Sequence, residues 1–466
     1  MKIGTMENLF SVLSREAGRF YDDVGELDVT PAVTPAEIRH HLQSRFDFNS
    51  PIPAEKLISE VAAVLGRWTL HVTHPRYFGL FNPSVLPITV AADALAALFN
   101  PQLAVWLHAP AANEIEGHVL RFLSSRIGFD PETSVAHFTS GGQEANMTAA
   151  LAALTHHFPA VEEKGLRSLS GQPTLYVSDE GHHSFHKIAK ATGLGRHAVR
   201  VVPTNEDLRV DVEALERAVV SDRREGLSPF MVVGTAGSTS AGVVDPLMGL
   251  AKLARKLEMW FHVDAAWGGS ALLSERLRIH LAGIERADSV TWDAHKWLSV
   301  PLGAGMFFCR WPESTSKAFS VSASNYVPPG QEGTTDNYVT TMQWSRRFIG
   351  LKVFMALAEH GTDGYQKLIE HQAEMADLLR EKLTASGWRV VNDTSLPVVC
   401  FLHPSIESGT MSTSEVVRRL NRRGRCWISE VCLSGGVKAL RVCITSYRTE
   451  SSDIDVLLNE VEAVLS

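Results

Sequence analysis

An aspartate and a lysine that could serve one cofactor stand 32 residues apart, at Asp264 and Lys296. Asp264 ends a mostly apolar run over 259–263 that predicts a buried strand, and Lys296 follows a second such run over 289–292. Ligands of α/β sheets usually bind at strand ends. An amine there can form an imine with an aldehyde, and a carboxylate there can keep a ring nitrogen protonated. Together these are the groups that pyridoxal phosphate requires of a protein.

Alone, Asp264 would more often be explained as the cap of a turn or helix, so the interpretation depends on the pair. Asp293 and His295, which precede the lysine, are candidates for contacting the phosphate region of such a cofactor or the sheet edge.

A glycine-rich turn, SGGQEAN over 140–146, lies between a predicted strand over 136–139 and a predicted helix over 143–157. Glycines let the backbone approach a phosphate, and a helix N-terminus offers free N–H donors. Ser140 as an ordinary N-cap stays an alternative.

Two more polar segments follow predicted strands, SDEGHHS over 178–184 and GTAGST over 234–239. The first offers an imidazole that could stack on a pyridine ring, and the second offers hydroxyls near a cofactor. His182, His183 and His186 alternatively suggest a metal site. Because no carboxylate or cysteine cluster accompanies them, the sequence predicts no metal.

Seven predicted strands, over 136–139, 175–178, 198–202, 230–234, 259–263, 289–292 and 305–309, alternate with helical stretches. This pattern predicts an α/β fold with a mostly parallel sheet covered by helices on both faces. We expect an N-terminal arm over 1–75, which packs on another subunit or on the main domain, a large domain over 76–350 and a small α+β domain over 351–466. In the last, helices are predicted over 365–386, 414–423 and 454–465, and strands over 388–391, 398–402 and 439–445.

Composition narrows the class of protein. The 466 residues are 45% hydrophobic and carry a formal charge of −8 with both signs interleaved, which suits a large core and predicts neither a nucleic-acid nor a membrane partner. Five cysteines without a C-x-x-C pair indicate a reducing compartment. No secretory signal and no membrane-spanning run is recognised, so we expect a cytoplasmic protein.

The segments HVDAAWGGS over 262–270 and DAHKW over 293–297 resemble the signature of the group II pyridoxal-phosphate amino-acid decarboxylases. That family includes the aromatic amino-acid, tyrosine, histidine and glutamate decarboxylases. Further segments that fall in family order are HP at 74–75, APAANEIE over 109–116, the turn over 140–146, SD at 178–179 and LRVCIT over 440–445. The resemblance extends from about residue 70 to the C-terminus.

The resemblance implies the aspartate-aminotransferase-like fold (fold type I) with a seven-stranded sheet, and a homodimer whose active sites lie at the interface. It implies that Lys296 is the Schiff-base lysine, that Asp264 pairs with the pyridine nitrogen, and that Ala266 and His182 flank the ring. The positions that match the family's phosphate contacts are Gly142, Gln143 and His295, and Thr239 falls near the cofactor ring.

The family also has a mobile loop carrying a tyrosine that protonates the α-carbon after CO2 leaves. Residues 321–343 contain Pro328, Pro329 and Gly330, which predict a flexible lid. Tyr326, 30 residues after Lys296, resembles the family's lid acid. Tyr338 stays an alternative, although it resembles a different family position.

The expected reaction is therefore decarboxylation of an L-amino acid to its amine, with an aromatic substrate as first choice and an acidic or diamino acid next. The segment RYFGLF over 76–81 resembles the one that lines the side-chain pocket in the family, and Trp106 lies near another pocket segment. The resemblance therefore implies Tyr77, Phe78, Leu80 and Trp106 as candidate substrate contacts, and aromatic walls suit an aromatic or large apolar side chain. Arg76 either pairs with an acidic substrate or is a surface arginine. The same fold also permits an aldehyde-forming decarboxylase or an aminotransferase. A non-catalytic scaffold is disfavoured by the intact set of Asp264, His182 and Lys296.

Overall fold

The computed structural model describes residues 5–321 and 331–465. A central sheet contains β1 (Val135–Thr139), β2 (Pro173–Ser178), β3 (Val199–Val202), β4 (Ser228–Thr235), β5 (Trp260–Asp264), β6 (Ser289–Asp293) and β7 (Gly305–Cys309). The strand order is β1-β7-β6-β5-β4-β2-β3. Because β7 runs antiparallel to both β1 and β6, whereas the remaining pairs are parallel, six strands share one direction and their carboxyl ends meet at one edge. The predicted mostly parallel sheet is confirmed.

Helices cover both faces of this sheet, as predicted. Those of the central region are α4 (Pro87–Phe99), α5 (Pro110–Ile127), α6 (Gly142–His157), α7 (Ala160–Lys164), α8 (Ser184–Ala191), α9 (Val212–Arg224), α10 (Leu247–Lys256) and α11 (Pro312–Phe319). Alternate residues of β5 face opposite sides. Phe261 and Val263 join the core beneath α10, whereas Trp260 joins the core beneath α6.

A second, antiparallel sheet follows, in the order β10-β11-β9-β8. Its strands are β8 (Arg389–Val390), β9 (Val398–Leu402), β10 (Ser429–Cys432) and β11 (Lys438–Cys443), and its helices are α12 (Gly350–Ala385), α13 (Pro404–Glu407), α14 (Thr413–Arg422) and α15 (Ser451–Leu465). The predicted α+β character is confirmed, but β10 was not predicted. The helix predicted from residue 365 begins at Gly350 and is interrupted at Gly361, whose φ of +61° suits glycine.

The N-terminal helices are α1 (Met6–Asp23), α2 (Pro35–Arg45) and α3 (Ala54–Trp68), and none of these described helices contains a fully buried side chain. They reach the C-terminal region, where the Tyr21 and Tyr447 hydroxyls lie 2.9 Å apart. Packing of this arm on a partner subunit stays a prediction. In the described ranges, no helix has both the length and the apolar character needed to cross a membrane.

The segment that follows the N-terminal arm, around Phe78, forms hydrogen bonds with the strands and loops of the small sheet. The Phe78 N–H donates to the Trp427 carbonyl (2.8 Å), and the Cys443 N–H donates to the Phe78 carbonyl (3.0 Å). Phe78 belongs to the core of the C-terminal region. The predicted large domain begins at residue 76, so its first residues pack against the small domain; the domain boundaries otherwise stay a prediction.

Candidate active site

A cleft of about 220 Å³ lies at the carboxyl edge of the central sheet. Its walls come from the ends of β4, β5 and β6 and from the loops that follow β1 and β2. It is lined by Gly142, Gln143, Asn146, His182, Thr235, Gly237, Thr239, Asp264, Ala266, Trp267, Asp293, His295 and Lys296. All nine predicted cofactor positions are therefore brought together, because parallel strands deliver their ends to the same edge.

Asp264 ends β5 and is 6% exposed. Its Oδ1 accepts the Ala266 N–H (3.1 Å), and its Oδ2 accepts a hydrogen bond from Asn146 Nδ2 (2.8 Å). One donor on each oxygen fixes the orientation of the carboxylate and leaves acceptor capacity on both oxygens. The group is thus able to hold a protonated ring nitrogen in the cleft.

Lys296 contacts a carboxylate. Its Nζ lies 3.1 Å from Asp293 Oδ2, which also accepts the Gly142 N–H at 3.0 Å. Asp293 Oδ1 is buried and has no hydrogen-bond partner among the described residues. The prediction that Asp293 contacts a phosphate does not suit this geometry, because two anions repel at short range. Its position suits holding the lysine instead.

An anion cradle is formed where α6 begins. Gly141 is the N-cap residue and no side chain caps the helix, so Ser140 is not the N-cap; its hydroxyl and its N–H instead donate to Glu144 Oε2. A Cβ on Gly142 would come within 2.8 Å of Asp293 Oδ2, so glycine permits this close approach. A free helix N-terminus attracts anions.

His295 adds a donor to this cradle. Its Nδ1 accepts the Ala304 N–H (3.1 Å), so the neutral ring carries its proton on Nε2. Burial lowers the pKa of His295. A neutral N–H donor beside a helix N-terminus suits a phosphate.

His182 borders the same cleft. Burial is the main cause that lowers its pKa, and its Nδ1 accepts the Ser184 N–H at 3.2 Å. The neutral ring therefore carries its proton on Nε2. The neighbouring rings of His183 and His186 lie 6.2 Å apart between centroids, and the described residues contain no group of three or more side chains arranged as metal ligands.

The four predicted substrate contacts do not line this cleft. Tyr77 stacks on Trp427, and Phe78 is fully buried in the C-terminal core. Phe78 offers no surface to a substrate, so its prediction as a substrate contact is corrected to a core position. Leu80 is 51% exposed, and the Trp106 indole donates to Glu114 Oε1 (2.8 Å).

Of the two candidate lid acids, Tyr326 lies outside the described residues. Tyr338 is buried and stacks on Trp344, with centroids 4.8 Å apart. Beside it, Asn337 donates to the Leu103 carbonyl (2.8 Å). Tyr338 is held by these contacts and does not fit the alternative of a mobile proton donor.

Four lining residues had no predicted role, namely Asn146, Thr235, Gly237 and Trp267. Asn146 carried a usable signal, because it lies four residues after Gly142 and hence on the same helix face. Trp267 is stacked on Phe81, with centroids 4.6 Å apart. That contact joins residues 186 positions apart, and no local pattern predicts it.

One sheet edge thus combines an amine, a buried carboxylate, a neutral imidazole and an anion cradle. Each matches one part of pyridoxal phosphate: the aldehyde, the ring nitrogen, the ring face and the phosphate. The residues present fit this cofactor.

Comparison with known proteins agrees. Residues 37–403 match the family model described as the pyridoxal-dependent decarboxylase conserved domain. The chain is 30% identical to an aromatic-L-amino-acid decarboxylase of Bacillus atrophaeus, over 92% of this chain and 88% of that protein. It is 29% identical to the human cysteine sulfinic acid decarboxylase, over 92% and 89%.

Solved structures agree as well. The crystal structure of mouse CSAD matches with a TM-score of 0.89 and 27% identity over 99% of both chains. A structure of Oryza sativa TDC with PLP and tryptamine shares the fold, with a TM-score of 0.91 and 24% identity over 100% of this chain and 99% of that one. The chain belongs to the pyridoxal-dependent decarboxylase family and is a pyridoxal-phosphate-dependent amino-acid decarboxylase.

Proposed function

We propose that this decarboxylase acts on an aromatic L-amino acid and releases CO2 and the corresponding amine. The observation that carries the proposal is the charge of the cleft. Among its lining residues, the charged side chains are Asp264, Asp293 and Lys296, and each has a place in the cofactor site. None is left to pair with an ionised substrate side chain.

Arg76, the candidate partner for an acidic substrate, is engaged elsewhere. Its guanidinium donates to the Gly25 carbonyl (3.0 Å) and the Arg425 carbonyl (3.0 Å) and lies 3.7 Å from Asp453. These contacts favour a structural role for Arg76. Trp267, which also lines the cleft, is buried and stacked on Phe81, so it adds no charge to the lining.

The relatives support both leading substrate classes. The similarity to an aromatic-L-amino-acid decarboxylase favours the first choice, and the nearly equal similarity to cysteine sulfinic acid decarboxylase keeps acidic amino acids second. Similarity to an aspartate decarboxylase of Metarhizium robertsii, at 30% over 84% of this chain and 78% of that protein, supports the same second place.

When bound, pyridoxal phosphate supplies an aldehyde that condenses with amines and an electron-poor ring that stabilises the electron pair left by CO2. We propose that Asp264 keeps a proton on the ring nitrogen and that His182 contacts the ring. The N-terminus of α6, together with His295 Nε2–H, would hold the phosphate. Asp293, 3.1 Å from Lys296 Nζ, would orient the amine toward the cofactor aldehyde.

Tyr326 is proposed to donate the proton that the substrate α-carbon takes up after CO2 leaves. Without such a donor this carbon would react with oxygen and give an aldehyde. Exclusion of water from the closed site would protect the reaction from premature proton transfer.

A homodimer is proposed on the exposed apolar surface of the protomer. Several apolar side chains that are at least 40% exposed lie on three helices, α1, α3 and α4: Met6, Phe10, Leu13, Val61, Leu65, Val90, Leu95, Leu98 and Phe99. Exposed apolar patches of this kind mark interfaces. Light scattering on the active enzyme is expected to give twice the 51.1 kDa chain mass; a monomer that is fully active would contradict the proposal.

The deciding experiment for the substrate is a panel of L-amino acids assayed for CO2 release by the enzyme with its cofactor. Tryptophan, tyrosine and phenylalanine are tested beside aspartate, glutamate, cysteine sulfinate and 2,4-diaminobutyrate. The aromatic acids are expected to give the highest kcat/KM, with amine and no hydrogen peroxide as products. Preference for any acidic or diamino acid would overturn the substrate proposal.

A further inference from the structure

A chain of buried hydrogen bonds runs from the sheet interior to Asp264. Trp260 Nε1 lies 2.8 Å from Ser289 Oγ, and Ser289 Oγ lies 2.8 Å from His262 Nδ1. His262 Nε2 lies 3.0 Å from Asn146 Oδ1, and Asn146 Nδ2 lies 2.8 Å from Asp264 Oδ2. These five side chains join β5, β6 and α6 at the cleft.

Hydrogen-bonding chemistry sets one direction for this chain. The Asp264 carboxylate accepts, so the Asn146 NH2 donates to it and the Asn146 carbonyl faces His262. That carbonyl needs a donor, so His262 carries its proton on Nε2 and accepts at Nδ1. The Ser289 hydroxyl then donates to His262 and accepts the Trp260 N–H, which can only donate.

Every link thus points toward Asp264, and such chains polarise cooperatively in a low-dielectric interior. The requirement for a neutral His262 is met, because burial lowers its pKa to about 4. His262 is fully buried and does not line the cleft. Any effect it has on the cofactor must therefore pass through its neighbours.

We infer that His262 is a positioning residue which, acting through Asn146, fixes the orientation of the Asp264 carboxylate toward the cofactor ring. The inference rests on the proposed role of Asp264 as partner of the ring nitrogen. Without the His262 donor, the Asn146 amide loses the contact that holds its carbonyl away from the carboxylate. The Asn146 carbonyl is then buried without a donor, the side chain is free to shift, and its hydrogen bond to Asp264 no longer fixes the carboxylate.

The test compares His262→Leu with His262→Gln in the enzyme loaded with pyridoxal phosphate. Leucine removes both nitrogens, whereas the glutamine amide can still donate to Asn146. The Kd of pyridoxal phosphate is expected to be about tenfold higher in His262→Leu than in wild type. Losses of this size occur when a residue that orients a metal ligand is removed. It is also expected to change the visible absorption spectrum and to lower kcat more than it raises KM. His262→Gln is expected to restore part of each loss.

His137 provides the matched control, because it is equally buried in the same sheet and has no hydrogen bond to the chain described above. His137→Leu is expected to keep the cofactor affinity and spectrum even if it lowers Tm. Equal losses in His137→Leu and His262→Leu would show a general packing effect and overturn the inference, as would a wild-type spectrum and Kd in His262→Leu.

Two further variants keep the outcomes separable. Ser289→Ala removes only a hydroxyl and should shift Kd and spectrum in the same direction by a smaller factor, even if His262→Leu fails to fold; no shift would count against the inference. Asp264→Ala should show the largest change in both readouts. If it changes neither, the role proposed for Asp264 fails first. If it changes both while the His262 variants do not, the positioning role alone is refuted.

Discussion

Two sets of predicted site residues, those that would bind the cofactor (the cofactor side) and those that would contact the substrate (the substrate side), are positioned in different ways. On the cofactor side, Asp264 and Lys296 stand at or just after the ends of neighbouring parallel strands, and contacts within one protomer fix the carboxylate. The residues predicted to contact the substrate lie outside the lining: Leu80 is in an irregular segment, Trp106 begins a short 3-10 helix (Trp106–His108), and Phe78 packs into the core of the C-terminal region.

The difference shows what positions a functional residue. The hydrogen bonds between neighbouring strands fix the position of a strand end. Its side chain therefore lies at the cleft regardless of the conformation of the adjoining loop. A loop residue is placed by whatever packs against it, and for this cleft we propose that this includes a second subunit. Substitutions on both sides and acid unfolding test that contrast, from the largest expected effect to the smallest.

Lys296→Ala should abolish decarboxylation, with a loss of at least about a thousandfold, because we propose that Lys296 supplies the amine that binds the cofactor aldehyde. Visible absorbance of bound pyridoxal phosphate should change or disappear. The exposed Lys317 on α11 is the control, and Lys317→Ala should behave as wild type. Residual activity above one per cent in Lys296→Ala would remove this lysine from the proposed site.

Asp264→Ala should reduce kcat by about a hundredfold to a thousandfold, the usual loss when one preorganised electrostatic contact is removed from a reacting centre. Steady-state kinetics give the value. Asp222 is also buried but pairs with Arg200 away from the cleft, so Asp222→Asn should lower Tm and leave the cofactor spectrum unchanged. A spectral change there would weaken the contrast between the two sites.

Tyr326→Phe tests the substrate side at a position outside the described residues. Loss of the phenol proton should divert the product from amine to aldehyde, with CO2, ammonia and hydrogen peroxide released in equal amounts. A coupled peroxidase assay with product chromatography measures the ratio. Tyr338→Phe is the comparison variant and should continue to form amine, because Tyr338 is buried against Trp344; peroxide from that variant instead would exchange the two roles.

Phe78→Ala and Leu80→Ala separate a core position from an exposed one two residues away. Phe78→Ala should lower the free energy of unfolding by about 3–5 kcal/mol, the cost of emptying a buried aromatic site. Leu80→Ala should stay within about 0.5 kcal/mol and change KM or the order of preferred substrates instead. Denaturant titration measures the free energy of unfolding, and the substrate panel measures KM and the order of preferred substrates. Equal destabilisation would mean that Leu80 is also a packing residue.

Buried histidines predict a loss of stability in acid. Burial lowers the pKa of His137 to about 3 and of His262 to about 4 from an ordinary 6.5. Between those values the unfolded chain binds the extra proton, so stability is complete above pH 6.5 and falls as the pH drops toward the folded pKa. The slope is about 1.4 kcal/mol per pH unit and per histidine. Unfolding of His137→Phe between pH 6.5 and 4.5 should show a slope lower by that amount; an unchanged slope would contradict the assignment.

Much of the cofactor side was predictable because its signals are local. A strand is an apolar run of about five residues, and a polar side chain directly after it reaches the sheet edge, so Asp264, Lys296 and the turn over 140–146 could be placed without coordinates. The sequence also predicted that strands alternate with helices, the arrangement that produces a mostly parallel sheet. The start of α12 was missed because its first turns and the break at Gly361 lack a clear periodic signal.

The residue types and their order by themselves determined the fold class, the family and the set of groups at the cofactor. Tertiary structure alone decided their pairings: Lys296 with Asp293, Asn146 with Asp264 and Phe78 with the small domain. The physical reason is the separation along the sequence between the residues that interact. The periodic patterns of helices and strands are read over a few neighbouring residues. The hydrogen bond between Asn146 on α6 and Asp264 on β5 joins positions 118 residues apart and forms only when helix and sheet have packed together.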